Sequence, residues 1–308
     1  MKETARIICG ELGDMVSVST SLCNHTSIKI GGRPLALITP KNEKELKIAV
    51  TKLEKLGIDY KVIGAGSNIL FSENMPNTVL LSLDKLLGVK QNVKTLTLEC
   101  MAGEKLSSCY RYSASIGLSG FEAIAGIPGT IGGAVIMNAG AFGVEIKDIL
   151  ESVRVMYPSG RIKTIKAKDL GLSYRNSKIK NSGLIIVSAV FKLKVLAPSV
   201  IRSMALEYAK LRAESQPVGL SLGSVFKKHG NTSAGELIEK VGLKGAVVGG
   251  CKISEKHANF IINTGNGTSR DYKKLVELAR KKVKKQFNID LVREVEYIDD
   301  KLVIKNKS

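Results

Sequence analysis

Histidine and cysteine are too few and too scattered in this chain to build a metal centre or a nucleophilic triad. There are three histidines, His25, His229 and His257, and five cysteines, Cys9, Cys23, Cys100, Cys109 and Cys251, with no C-x-x-C pair. The thiols read as reduced, without disulfides and without metal. Chemistry must come from backbone and from isolated polar side chains. Residues 126–141, GIPGTIGGAVIMNAGA, carry five glycines (Gly126, Gly129, Gly132, Gly133, Gly140) and no charge. Such a run suits a backbone that approaches a partner closely and offers N–H groups, although a tightly packed buried turn has the same composition. A second run, Gly64-Ala65-Gly66-Ser67-Asn68, follows an apolar strand pattern, a junction that can cradle phosphate. It lacks the third glycine of a dinucleotide fingerprint, since Ile69 stands there, and no Gly-Lys-Ser/Thr follows as in a P-loop.

Three further segments concentrate polar groups. Tyr174-Arg175-Asn176-Ser177 places an arginine in a turn, where its planar fork can clamp a carboxylate or phosphate or form an ordinary surface ion pair. Gly223-Ser224-Val225-Phe226-Lys227 offers a serine without G-x-S-x-G and without a supported histidine, which argues against a hydrolase. Residues 254–259, SEKHAN, form either a site mouth or a polar loop.

The elements that would hold these residues alternate along the chain. Residues 26–32, TSIKIGG, read as an alternating strand. A helix opens at Thr39-Pro40, with Leu46, Val50, Leu53 and Leu56 at helical spacing and Gly57 to end it. Strands are expected at 60–63, 79–83 and 95–99, a helix at 106–116, a hairpin at 153–165 around Pro158-Ser159-Gly160, and a long strand at 184–196. Beyond Pro198 come a helix with Ile201, Met204, Tyr208 and Leu211 on one face, and a short helix with a Ser233–Glu236 capping box. A strand at 259–263, a lysine-rich helix with Tyr272, Leu275, Val276, Ala279, Val283 and Phe287 inward, and a hairpin across Asp299-Asp300 complete the chain. The pattern is α+β, with a domain break near Pro198.

At 308 residues, with 44% hydrophobic and 24% charged content, the chain has the composition of a globular protein of two or three domains. No window approaches the ~18 apolar residues of a membrane span, and no signal-peptide pattern opens the sequence, so the expected location is cytoplasmic. The balance of 47 Lys and Arg against 28 Asp and Glu, a formal charge of +19, favours polyanionic ligands. No helix-turn-helix, zinc finger or RNP-like motif accompanies it, so nucleic acid is not expected.

The ordered series TSIKIGG, GAGSNIL, GLSGFEAIAGIPGTIGGAVIMNAGA, LSYRNS, LRAESQP, GSVFK, GLKG, SEKHANFIINTG and LVREVEYI resembles the UDP-N-acetylenolpyruvoylglucosamine reductase family over about residues 25–298. The compact spacing between LSYRNS and GSVFK is similar to the shorter form, which lacks a substrate-covering loop. The resemblance implies an FAD-binding fold of the vanillyl-alcohol-oxidase type in two subdomains, 1–84 and 85–197, followed by a substrate-binding domain, 198–308. It implies reduction of UDP-N-acetylglucosamine enolpyruvate with non-covalent FAD and with NADPH as reductant, for peptidoglycan synthesis, and no obligate protein partner.

By the same resemblance Arg175, Ser224 and Glu294 are catalytic. Gly64, Gly66, Ser67, Asn68, Gly126, Gly129, Thr130, Gly132, Gly133 and Asn138 bind the cofactor, the glycine runs through their N–H groups. Tyr174, Arg212, Lys227 and His257 bind substrate. The chain departs from the family at Lys228-His229, where Asn-Pro is usual after GSVFK, exchanging an amide contact for a cation.

Overall fold

Short apolar runs punctuated by glycine build three principal sheets in the computed structural model, which describes residues 2–300. The first has the strand order Val16–Ser17, Arg33–Ile38, Asn74–Ser82, Lys61–Ile63. Its three longer members run parallel, and α1 (Lys2–Leu12) and α2 (Glu43–Lys55) pack against one another beside it. α2 starts at Asn42 rather than at Pro40. The Asn42 side chain accepts from the Glu45 N–H at 2.9 Å, and Leu46, Ala49, Val50 and Leu53 face inward.

The second sheet is antiparallel, in the order Ile162–Lys166, Leu150–Met156, Ile185–Lys192, Thr97–Met101, Val89–Asn92. α3 (Leu106–Ser115) and the short α4 (Ile131–Ile136) accompany it. These two sheets share one continuous apolar core, so the first two lobes pack as a unit. The long strand expected at 184–196 is interrupted after Lys192 and resumes as Lys194–Val195 on a different partner, Leu118–Ser119.

α5 (Pro198–Ser215) leads into the third sheet, with the order Leu220–Ser224, Phe260–Asn263, Cys251–Ile253, Val247–Val248. Of the four residues expected on its apolar face only Ile201 is buried, and Leu211 is 47% exposed. The reason is what the helix faces: Ala205, Tyr208, Ala209 and Arg212 line a cavity instead of a core. α6 (Ala234–Lys240) is capped by Ser233, which accepts from Gly235 at 3.2 Å. The expected capping box does not form, because Glu236 turns outward to Lys240 at 2.6 Å. α7 (Ser269–Phe287) buries Tyr272, Leu275, Val276, Ala279 and Val283 and solvates its lysines. Each fully buried aliphatic contributes about 1.5–3 kcal/mol.

Residues 26–32 are not a strand. Lys29 takes φ 60°, breaking the extended run, so Ile28 and Ile30 plug into the core of the third sheet, and Asn263 Nδ2 holds the Ile28 carbonyl at 2.8 Å. The outgoing arm of the hairpin expected across Asp299-Asp300 lies outside the described residues. Its incoming strand, Glu296–Ile298, pairs in parallel with Ile69–Phe71, returning the chain from the third sheet to the first lobe. Among the described residues no helix is long and apolar enough to cross a membrane, and no group of three His, Cys, Asp or Glu could hold a metal ion.

Candidate active site

A cavity of about 990 Å3 is walled by both glycine runs, by α5 and by the edge of the third sheet. The turn after the strand Lys61–Ile63 supplies its most unusual feature. The N–H groups of residues 64–68 donate to no described residue, so five successive backbone donors are available to a ligand. Glycine is required here. Gly66 adopts φ +60°, and a Cβ on it would collide with the His25 carbonyl; a Cβ on Gly64 would collide with Thr130 Oγ1. Thr130 thereby ties the second glycine run against the first.

In that second run the N–H groups do not all face the cavity. Ile131 and Gly132 donate to the carbonyls of Glu104 and Ala102, at 2.8 and 2.9 Å. Gly132 therefore serves close packing against the strand Thr97–Met101 and lines the cavity without offering its donor. The Gly126, Gly129, Thr130 and Gly133 amides donate to no described residue. Asn138, expected beside the cofactor, is fully buried and does not reach the wall. Its amide nitrogen donates to Glu145 and to the Ser173 carbonyl, and its oxygen accepts from Lys147 N–H. It fixes the segments around Gly140 and Arg175, and no side-chain donor is left for a ligand.

Arg175 sits in a tight turn closed by reciprocal Ser173–Asn176 bonds of 3.1 Å, and it holds φ 54°, a strained conformation for a non-glycine residue. The turn sends the guanidinium into the cavity. There Nε donates to Glu294 Oε1 at 2.7 Å and Nη2 to the Gly140 carbonyl at 3.2 Å, leaving Nη1 without a described partner. Burial pushes the Glu294 carboxyl above its ordinary value, against the pull of Arg175 and, more weakly, of Lys227 and Lys180.

Ser224 ends the strand Leu220–Ser224 after an irregular step in pairing, with Gly223 at φ 73°. This presents its side chain to the same cavity, and its hydroxyl bonds to no described residue. Asn259, at the end of the SEKHAN segment, clamps the segment that follows Ser224. It accepts from Phe226 N–H at 3.0 Å and donates to the Phe226 carbonyl at 2.8 Å. Glu122 was passed over in the sequence reading: it lines the cavity, nearly fully buried.

The substrate-side residues are less gathered. Arg212 lines the cavity, stacked over Phe142 at 5.5 Å with Nη1 on Gln216 at 2.8 Å, while Nη2 is buried without a partner among the described residues. A Cβ on Gly126 would stand 2.7 Å from Arg212 Nε, so the glycine makes room for it. Tyr174 lies off the wall, its ring between Arg175 at 5.0 Å and Lys228 Nζ at 5.2 Å. Lys227 also lies off the wall and acts on Glu294 through its charge. His257 packs edge-on behind Phe260 at 4.9 Å, and burial holds its imidazole below its ordinary value.

Two family descriptions match: an FAD binding domain over residues 34–166, and the C-terminal domain of UDP-N-acetylenolpyruvoylglucosamine reductase over 216–298. A UDP-N-acetylenolpyruvoylglucosamine reductase of Caldicellulosiruptor bescii is 40% identical over 89% of this chain and 88% of its own. The chain belongs to the UDP-N-acetylenolpyruvoylglucosamine reductase family. A reductase of that name from Streptococcus pneumoniae is 39% identical over 92% of this chain and 89% of its own. The crystal structure of the Thermus caldophilus reductase superposes with a TM-score of 0.77 at 32% identity, covering 92% of this chain and 99% of that one.

The reductase family assignment accords with the α+β fold, an FAD-binding unit followed by the reductase's C-terminal domain. The residues present also fit a dinucleotide. Five N–H groups without a described partner and a glycine that admits no side chain make a cradle for a diphosphate, and the cavity around it holds about 990 Å3.

Proposed function

We propose that this chain reduces the enolpyruvyl group of UDP-N-acetylglucosamine enolpyruvate to give UDP-N-acetylmuramate, with non-covalent FAD as carrier and NADPH as reductant, in cytoplasmic peptidoglycan precursor synthesis. The observation that carries this reading is the placement of the partly buried Arg175–Glu294 pair and the unengaged Ser224 hydroxyl on the same cavity as the residue 64–68 turn, whose Asn68 bonds to the Glu294 carbonyl. The turn and the Gly129–Thr130 amides would hold the FAD diphosphate. FAD bound there supplies a hydride to C3 of the enolpyruvyl group.

Hydride addition at C3 leaves negative charge on C2 and the attached carboxylate. Arg175, with Nη1 free, orients that carboxylate and stabilises the charge as it develops. Ser224 then gives its proton to C2, and water restores the hydroxyl. A serine is a weak acid, so the transfer depends on neighbouring cationic groups lowering the cost of the alkoxide. Lys227, three residues on, is the nearest in sequence. Glu294 holds Arg175 in place and polarises the reacting group. Arg212 and Lys228, which lies over Tyr174, suit the substrate diphosphate, with His257 packed behind Phe260.

The test separates the half-reactions in stopped flow. In Ser224→Ala, reduction of bound FAD by NADPH proceeds at the wild-type rate, and reoxidation by the enolpyruvyl substrate falls by about 10²–10⁴-fold. Equal slowing of both halves removes Ser224 from the proton-donor role. NADPH consumption that ignores the enolpyruvyl substrate overturns the function itself.

A further inference from the structure

Glu122 is 5% exposed, lines the cavity, and takes no part in the chemistry above. One oxygen, Oε2, accepts from the Gly120 N–H at 2.9 Å, which fixes the carboxylate. The other, Oε1, is buried with no hydrogen-bond partner among the described residues. A buried carboxylate oxygen without a donor is costly, on the order of 1–3 kcal/mol or more, so its persistence calls for a ligand that supplies one.

Its place in the wall says which part of a ligand. Glu122 opens a segment of tight turns in which Ala125 donates to Phe121 at 2.8 Å and Ile127 to Ile124 at 3.0 Å. The segment runs on to Gly129 and Thr130, where the two glycine runs meet. Seven residues of turn-like backbone, at a rise of ~1.5–2 Å each, put Glu122 on the order of 10 Å from that junction. The catalytic groups join the diphosphate cradle elsewhere, through Asn68, whose Nδ2 donates to the Glu294 carbonyl at 3.1 Å. A dinucleotide whose diphosphate rests on residues 64–68 therefore has one half at Arg175 and Ser224 and the other within reach of Glu122.

We infer that Glu122 Oε1 anchors the adenosine half of FAD, accepting a hydrogen bond from a ribose hydroxyl or from the exocyclic amine of adenine. The inference rests on the proposed FAD site and adds a residue that selects FAD over flavins without adenosine. Both donors present the same chemistry to a carboxylate oxygen, and analogues tell them apart.

The experiment titrates flavin-free protein calorimetrically with FAD, with FAD deaminated to the hypoxanthine form, and with FAD carrying 2′-deoxyadenosine. In the wild type one of the two analogues binds at least tenfold more weakly than FAD. In Glu122→Gln, FAD is weakened by a similar factor, because glutamine has one acceptor oxygen to divide between Gly120 N–H and the ligand. The variant then binds FAD and the disfavoured analogue alike. Wild-type protein that binds all three equally overturns the inference whatever the variant does. So does a Glu122→Gln protein that binds FAD as tightly as wild type or keeps the wild-type discrimination. Wild-type protein that binds no FAD at all overturns the FAD site, a distinct outcome.

Discussion

At Glu294 two physical demands oppose each other. Burial favours the neutral acid, and Arg175 at 2.7 Å favours the carboxylate; burial prevails, and the carboxyl holds its proton above its ordinary value. The sign for stability follows by linkage. The folded state binds this proton more tightly than the unfolded chain, so the group's contribution is greatest below an ordinary pKa of 4.5 and is lost as pH rises through the folded value. Glu294→Gln has no such proton. Urea melts between pH 4 and 7 should therefore give wild-type stability falling relative to the variant as pH rises, and parallel profiles would mean that Arg175 cancels the burial. That Arg175, Ser224 and Glu294 gather on one cavity was legible in the sequence through their motifs. Glu122 and the clamp made by Asn259 were not, because an unpartnered oxygen or an amide clamped on a distant peptide exists only once the chain is folded.

Among the elements, legibility followed the number of residues that agree. In α7, six inward positions over nineteen residues specify one face; five are buried as expected, and only Phe287, at the last residue, stays partly exposed. In residues 26–32 only two isoleucines carried the strand pattern, and one positive φ at Lys29 sent both into another core. The start of α7 was missed although its sequence signal was present: Thr268 accepts from Asp271 N–H at 3.1 Å while Asp271 Oδ2 accepts from Thr268 N–H at 3.1 Å. Glu73 of the first lobe adds a second carboxylate at the same helix end, accepting from Ser269 Oγ at 2.6 Å. Thr268→Ala should thus lower unfolding free energy by only about 1 kcal/mol in equilibrium denaturation, with m unchanged. A loss several times larger would make the cap, rather than the buried face, the main support of α7.

Across the whole molecule, the turn that follows one three-residue strand and the end of the chain are joined in a way no local pattern announces. Glu296–Ile298 pairs with Ile69–Phe71 at a separation of 227 residues, with three residues on each side. At the head of that ladder Asn68 does two things. It belongs to the run of unpaired N–H groups proposed to hold the FAD diphosphate, and its side chain donates to the Glu294 carbonyl at 3.1 Å. The proposed cofactor cradle and the proposed catalytic carboxylate therefore share one residue across lobes that are otherwise distant in sequence. Removing that hydrogen bond in Asn68→Ala costs about 1 kcal/mol, enough for roughly a five-fold change in an equilibrium or rate. Because the bond links both sites, the loss should appear twice: FAD binds several-fold more weakly, and reoxidation by the enolpyruvyl substrate slows several-fold at saturating FAD. Ser67→Ala, one residue earlier and without the link, should change FAD affinity alone. If Asn68→Ala behaves like Ser67→Ala, the cradle and Glu294 are neighbours without coupling, and the returning strand serves only to close the fold.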